Sequence, residues 1–191
     1  MRKIVKHKWW IFAGFVLAAA LSRILPHPYN FTPIGGMALF AGGVLSGKRL
    51  YWIVPLIAYW ISDLLVMNIL YASYYEGMVW FGLPSVYLSI ILIVVLGRTI
   101  LKKIKLSRLI AGSLGASVIF YLVTNFGVWL SSPTYPLSWT GLIACYEAAI
   151  PFFQNTVAGD LFYVTILFGS YALITKYYPA WKLKSAVQTL P

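Results

Sequence analysis

The chain has 191 residues, of which 61% are hydrophobic and 10% are charged, with a formal net charge of +11. A soluble domain is about half apolar and about 25% charged, so this composition excludes an ordinary water-soluble globule, a disordered chain and a coiled coil. The single cysteine excludes an intrachain disulfide and a CxxC metal or redox motif. We therefore expect one all-α domain, 1–191, embedded in a membrane.

Six apolar stretches predict membrane-spanning helices, because a span needs about 20 mostly apolar residues. They cover 9–25, 32–46, 50–70, 83–101, 109–130 and 156–175, the second being short and glycine-rich. The last outer loop also holds 142–150, between Gly141 and Pro151, which predicts a short interfacial or re-entrant helix. A cleaved signal peptide is the alternative interpretation of the first stretch.

The basic residues predict the orientation of this bundle. All except Arg23 lie at the two termini, in the turn between spans two and three, or in the loop between spans four and five. With six spans these regions lie on one side, which the positive-inside rule makes cytoplasmic. We therefore expect cytoplasmic N- and C-termini in the bacterial inner membrane and no nucleic-acid partner. The basic residues on the predicted cytoplasmic side are Arg2, Lys3, Lys6, Lys8, Lys48, Arg49, Arg98, Lys102, Lys103, Lys105, Arg108, Lys176, Lys182 and Lys184.

Four strongly polar residues fall inside predicted spans: Arg23, Asp63, Asn125 and Asp160. At 1.5 Å per helical residue, each lies about 20–24 Å from the cytoplasmic end of its span. They therefore share one level in the outer half of a core about 30 Å thick. Ionisable groups at this depth are costly and mark functional sites by default, so we predict a shared internal site.

Aromatic residues on the same helix faces predict that this site binds a small molecule. Such pockets have apolar and aromatic walls with a few orienting polar groups. The proline-rich loop after the first span would cover the pocket. The structural alternative is that Arg23 pairs with Asp63 or Asp160 and that Asn125 bonds a neighbouring helix. The predicted binding residues are Arg23, His27, Asn30, Tyr59, Asp63, Tyr121, Asn125, Trp129, Asp160 and Tyr163.

Other patterns give little support for further chemistry. Residues 42–49 nearly match a phosphate-binding loop, but Arg49 occupies the Ser/Thr position and no strand precedes it. Cys145 has no evident base nearby in sequence, so we expect no enzyme activity, cofactor or metal. Gly14 and Ala18 form a small-xxx-small pair, which serves either packing within the bundle or docking of a membrane partner.

Three segments carry a resemblance to a known family. The segments LSRILPHPYNFTPI (21–34), LVTNFGVW (122–129) and AIPFFQNT (149–156), with Gly159 and Asp160, resemble an uncharacterised bacterial family described as transport proteins. More distantly, the chain is similar to the S-components of energy-coupling-factor vitamin transporters. That resemblance implies six spans, an outward pocket capped by the first loop, and docking of a coupling membrane subunit with ATPases at Gly14 and Ala18.

We therefore expect a substrate-binding transport protein for uptake of a small, vitamin-like micronutrient. One alternative is a proton-coupled secondary carrier that uses Asp63 and Asp160 as its titrating pair. The other is a structural or assembly membrane protein without a ligand.

Overall fold

The computed structural model describes residues 8–46 and 51–181, and within these ranges it is helical and contains no strand. The prediction of an all-α fold is confirmed for this part of the chain. Short 3₁₀ turns cover Ser22–Ile24, Ala72–Tyr74 and Pro179–Trp181, and a π-helical segment, Val66–Leu70, extends α3. The helices are α1 (Lys8–Leu21), α2 (Ile34–Val44), α3 (Ile53–Leu65), α4 (Pro84–Ile100), α5 (Leu106–Ser131) and α6 (Trp139–Tyr177).

Part of the predicted charge pattern lies outside the described residues. The side chain of Lys8 and seven further basic residues are not described. The end of segment 42–49, which nearly matches a phosphate-binding loop, and the first residue of the predicted span 50–70 also lie outside the described residues. The seven basic residues are Arg2, Lys3, Lys6, Lys48, Arg49, Lys182 and Lys184.

Three described helices are long and apolar enough to cross a membrane: Ile53–Leu70, Leu106–Ser131 and Trp139–Tyr177. Helix α5 has large apolar side chains on its exposed face and small residues on its buried face. The buried residues are Gly112, Ser113, Ala116 and Ser117. Large outward side chains over small inward ones are typical of a helix that faces lipid. The outward stripe repeats every four residues and consists of Leu106, Ile110, Leu114, Val118, Leu122, Phe126 and Leu130.

Helix α2 lies at the centre, with all eleven of its residues buried. At 1.5 Å per residue it is about 16 Å long, too short to cross a bilayer core about 30 Å thick. It packs mainly against α4 and α6. Its glycines permit this close packing, because a Cβ at Gly42 would collide with the carbonyl oxygen of Val94.

Helix α6 corrects the prediction for the last outer loop. The separate short helix expected at 142–150 is wrong, because one helix runs without a break from Trp139 to Tyr177 with Pro151 inside it. Proline removes only one backbone donor, and membrane helices tolerate it where neighbouring helices support the chain. Helix α5 provides that support, since the Tyr146 hydroxyl donates to the Leu122 carbonyl at 2.6 Å.

Candidate functional site

An ion pair joins the 3₁₀ turn after α1 to helix α3. Arg23 Nη2 lies 3.0 Å from Asp63 Oδ1, and Arg23 Nη1 donates to Ser62 Oγ at 2.9 Å. The guanidinium also lies over the ring of Tyr59, 4.7 Å from its centroid. Because the Asp63 side chain is 3% exposed and that of Arg23 11%, the pair is mostly withdrawn from solvent. The sequence left Asp63 and Asp160 open as partners of Arg23, and in the structure the partner is Asp63.

Two tyrosines enclose this pair. Tyr59 is buried and meets the ring of Tyr87 edge-on at 5.0 Å. Gly82 lies against the Asp63 carboxylate so closely that a Cβ would collide with Oδ2. The Tyr87 hydroxyl is buried and has no hydrogen-bond partner in the described part of the chain. The carboxylate is therefore enclosed between α3, α4 and the loop that precedes α4.

A cavity of about 350 Å³ opens beside Arg23, between the proline-rich loop and the π-helical segment that follows α3. It brings together three of the predicted site residues, Arg23, His27 and Asn30, with Tyr71 on the opposite wall. Asn30 has a positive φ of 62°, a left-handed conformation that is uncommon for residues other than glycine. The Asn30 side chain is exposed and lines the cavity, and its backbone carbonyl accepts from the Thr32 amide at 3.0 Å.

His27 fixes the backbone of this loop. One ring nitrogen, Nδ1, lies 2.9 Å from the Pro28 carbonyl oxygen, and the other, Nε2, lies 3.2 Å from the Arg23 carbonyl oxygen. Both neighbours are acceptors, so a neutral ring satisfies one of them and a doubly protonated ring satisfies both. This arrangement assigns His27 a local structural role in the loop as well as a position in the cavity wall.

Helix α6 holds the middle of the same loop. Asn155 Nδ2 donates to the Tyr29 carbonyl at 3.0 Å, and the Tyr29 ring meets Phe152 edge-on at 6.3 Å. The Phe31 ring packs on Tyr163 at 6.1 Å. The Tyr163 hydroxyl lies 2.7 Å from Ser22 Oγ, directly before Arg23. The loop is therefore attached to α6 along its length.

Asp160 lies apart from Arg23 and holds the start of α2. It is 2% exposed, and its carboxylate accepts hydrogen bonds from the backbone amides of Gly35 and Gly36. Ser117 Oγ donates to Asp160 Oδ2 at 2.6 Å. The first amides of a helix lack intrahelical partners and favour negative charge. Asp160 thus caps α2 from a different helix, and a Cβ at Gly35 would collide with it.

Tyr121, Asn125 and Trp129 form a third group, in the C-terminal half of α5, and do not line the cavity. Asn125 Nδ2 donates to the Tyr121 carbonyl one turn earlier, at 2.7 Å. Tyr121 and Trp129 donate to backbone carbonyls, those of Tyr146 at 2.6 Å and Pro136 at 3.0 Å. Of the four polar residues predicted to share one level, Arg23 and Asp63 pair with each other, whereas Asp160 and Asn125 are bonded to other neighbours. The four therefore do not form one common pocket.

Two other features bear on the predicted site. A groove of about 680 Å³ between α4, α5 and α6 is almost wholly apolar, with Ser85 and Ser131 among its few polar lining residues, so it offers little to orient a polar solute. On α1, Gly14 and Ala18 are both exposed, and a Cβ at Gly14 would meet no atom within 4 Å. Within the described ranges, no cluster of His, Cys, Asp and Glu is suited to hold a metal ion.

Several residues that build these clusters were not predicted. Ser62 directly precedes Asp63, and the Ser62–Asp63 pair inside an apolar span was a usable signal for a second partner of Arg23. Gly35 and Gly36 follow Pro33 and were a signal for a helix start with accessible amides. Nothing in the sequence points to Ser117 as the partner of Asp160, 43 residues away.

In the residues that the structure describes, the fold is helical, three helices are able to cross a membrane, and a cavity lies under a loop held by an ion pair and by hydrogen bonds. The chain belongs to the family DUF6580, described as a family of unknown function, whose model matches residues 3–181. No curated protein and no solved structure matches it.

Proposed function

We propose that this protein is a multi-pass protein of the bacterial inner membrane that binds a small, vitamin-like solute at its outer end for uptake. In this arrangement six helices traverse or enter the bilayer and both termini are cytoplasmic. The distribution of basic residues supports the orientation. The burial of α2 supports its assignment as a short helix enclosed by protein, which needs no contact with lipid.

The cavity under the proline-rich loop is the observation that carries the proposal. Its volume of about 350 Å³ lies within the range typical of small-molecule sites. The Asn30 amide offers both a donor and an acceptor, and Arg23 retains N–H groups beyond those bonded to Ser62 and Asp63. A loop that is already fixed loses little conformational entropy when a ligand binds, which favours affinity.

Solute binding is better supported than proton coupling by Asp63 and Asp160. Asp63 is paired with Arg23, and Asp160 is held by Ser117 and the amides of α2, so each acid has its own separate partners. The ligand-free structural alternative is favoured by one observation: every predicted polar residue inside a helix has a partner within the protein.

The similarity to S-components extends the proposal to a coupling partner. We propose that the exposed Gly14–Ala18 face of α1 receives a membrane subunit associated with ATPases. An open groove of about 400 Å³ between α1 and α3 borders Gly14, and its walls are apolar. Small residues on such a face allow close approach of a second helix.

Identification of a co-purifying ligand tests the proposed function. The full chain in lipid nanodiscs is washed and extracted with organic solvent, and the extract is analysed by mass spectrometry. Asn30→Gly removes the amide while glycine adopts the same φ without strain. We expect retention of one small molecule to fall about fivefold in this variant, the value of one hydrogen bond.

Thr134→Ala, in a different outer loop, is the matched control and is expected to retain the ligand. If no small molecule co-purifies from cells grown with and without added micronutrients, the proposed function is wrong. Equal loss in Thr134→Ala would show that Asn30 has no particular role.

A further inference from the structure

We propose that the connection between α4 and α5 binds the phosphate groups of anionic phospholipids in the cytoplasmic leaflet. This surface, the basic loop, contains Arg98, Lys102, Lys103, Lys105 and Arg108. The proposal rests on the membrane orientation proposed above and is independent of solute binding.

The basic loop has two chemically different sides. Lys105 has extended backbone angles, φ −127° and ψ 148°, so neighbouring side chains point to opposite sides. Lys105 therefore points away from Ile104 and Leu106, which are 44% and 74% exposed. Exposed apolar side chains opposite a lysine fit the boundary between acyl chains and headgroups, where lysine stems lie along apolar surface.

The two arginines hold the loop in place. Arg108 Nη1 donates to the Ile100 carbonyl at 3.3 Å, across the end of α4. Arg98 Nη1 donates to the Tyr51 hydroxyl at 2.7 Å. Three exposed lysines remain, and the ion pair found in the described part of the chain lies elsewhere, between Arg23 and Asp63. The lysine ammonium groups are therefore presented on a fixed support rather than on a mobile tail.

No acidic residue of the described chain compensates this charge locally. The first turn of α5 contains none, although it follows Lys105 directly. Asp160 reaches α5 at Ser117, eleven residues beyond Leu106, which is about 16 Å along the helix axis. Asp160 therefore does not pair with the basic loop, and a negatively charged partner would complement the three lysines. The exposed Ile104 and Leu106 favour a lipid over a soluble anion.

Spin-labelled lipids test the proposal. The full chain is reconstituted in phosphatidylcholine vesicles with a trace of spin-labelled phosphatidylglycerol or phosphatidylcholine, and the protein-bound fraction of each label is measured by electron paramagnetic resonance. We expect wild type to prefer phosphatidylglycerol by about fivefold or more, the effect of one lysine at an anionic surface. Combined Lys102→Gln, Lys103→Gln and Lys105→Gln should remove most of the preference, because these three lysines are the unpaired cations of the basic loop.

The matched control changes the same charge at the C-terminal basic residues, with Lys176→Gln, Lys182→Gln and Lys184→Gln, and should keep the preference. Equal loss in both variants, or no preference in wild type, would overturn the proposal. Inorganic phosphate that competes better than chloride at equal ionic strength would identify a soluble-anion site instead. A chain that washes out of the vesicles would refute the membrane placement, which solute binding also requires.

Discussion

Separating Arg23 from Asp63 should be the most damaging change to a single polar contact in this protein. Their atoms lie 3.0 Å apart, and Coulomb's law at an effective dielectric constant of about 20 gives about 5–6 kcal/mol for that distance. Arg23 keeps its bond to Ser62 and its position over Tyr59 when Asp63 becomes Asn, so part of this energy remains. We expect Asp63→Asn to cost about 3 kcal/mol, as for other buried pairs that lose one partner.

A double-mutant cycle measures the coupling directly. Unfolding free energies of wild type, Arg23→Gln, Asp63→Asn and the double variant are measured in detergent micelles. We expect the double variant to lose little more than either single variant, because it leaves no unpaired charge. Additivity within about 0.5 kcal/mol would refute the reasoning. The control cycle uses Arg98→Gln and Tyr51→Phe, an exposed contact for which we expect a coupling below about 1 kcal/mol.

Three further predictions concern the core. Gly42→Ala should force α2 and α4 apart at the Val94 carbonyl and destabilise the protein by about 2–3 kcal/mol, as overpacking does. The control Gly169→Ala should be neutral or stabilising, because the added Cβ would meet no atom within 4 Å. Both variants are measured by thermal unfolding. Asp160→Asn should cost about 1–3 kcal/mol because the α2 amides lose a charged acceptor, and unchanged stability would contradict the capping role. Cys145, 2% exposed, should resist a maleimide reagent in the folded protein and react after denaturation, as followed by mass spectrometry.

Much of the helical framework was predictable, because apolar length and charge placement are properties of single segments. The described α3, α4 and α5 lie within a few residues of the spans predicted at 50–70, 83–101 and 109–130. Partner selection was not predictable in the same way. The sequence predicts two acids at the same level as Arg23, and the packing of α1 against α3 brings Asp63 rather than Asp160 within reach.

The depth argument also could not give the direction in which each side chain points. Asn125 was predicted to share one level with the other polar residues, but its side-chain amide bonds the carbonyl one turn earlier on its own helix. Asn commonly satisfies itself locally in this way, so a polar residue in a span does not by itself indicate a ligand. The prediction of a separate helix before Pro151 failed for a related reason. Helix α6 continues through Pro151 because α5 supports it, and that support comes from tertiary packing.

The two buried acids are better understood as anchors of the proline-rich loop than as groups that meet a solute. Asp63 holds Arg23 at the start of the loop, and Asp160 holds the first turn of α2 at its end. Between these points Asn155 bonds the loop backbone. Changes at the acids should therefore alter the position of the whole loop, whereas a change at Asn30 should alter one contact. Under the proposed function, we therefore expect solute specificity to reside in the loop and in Tyr71, which lines the same cavity, rather than in the two acids.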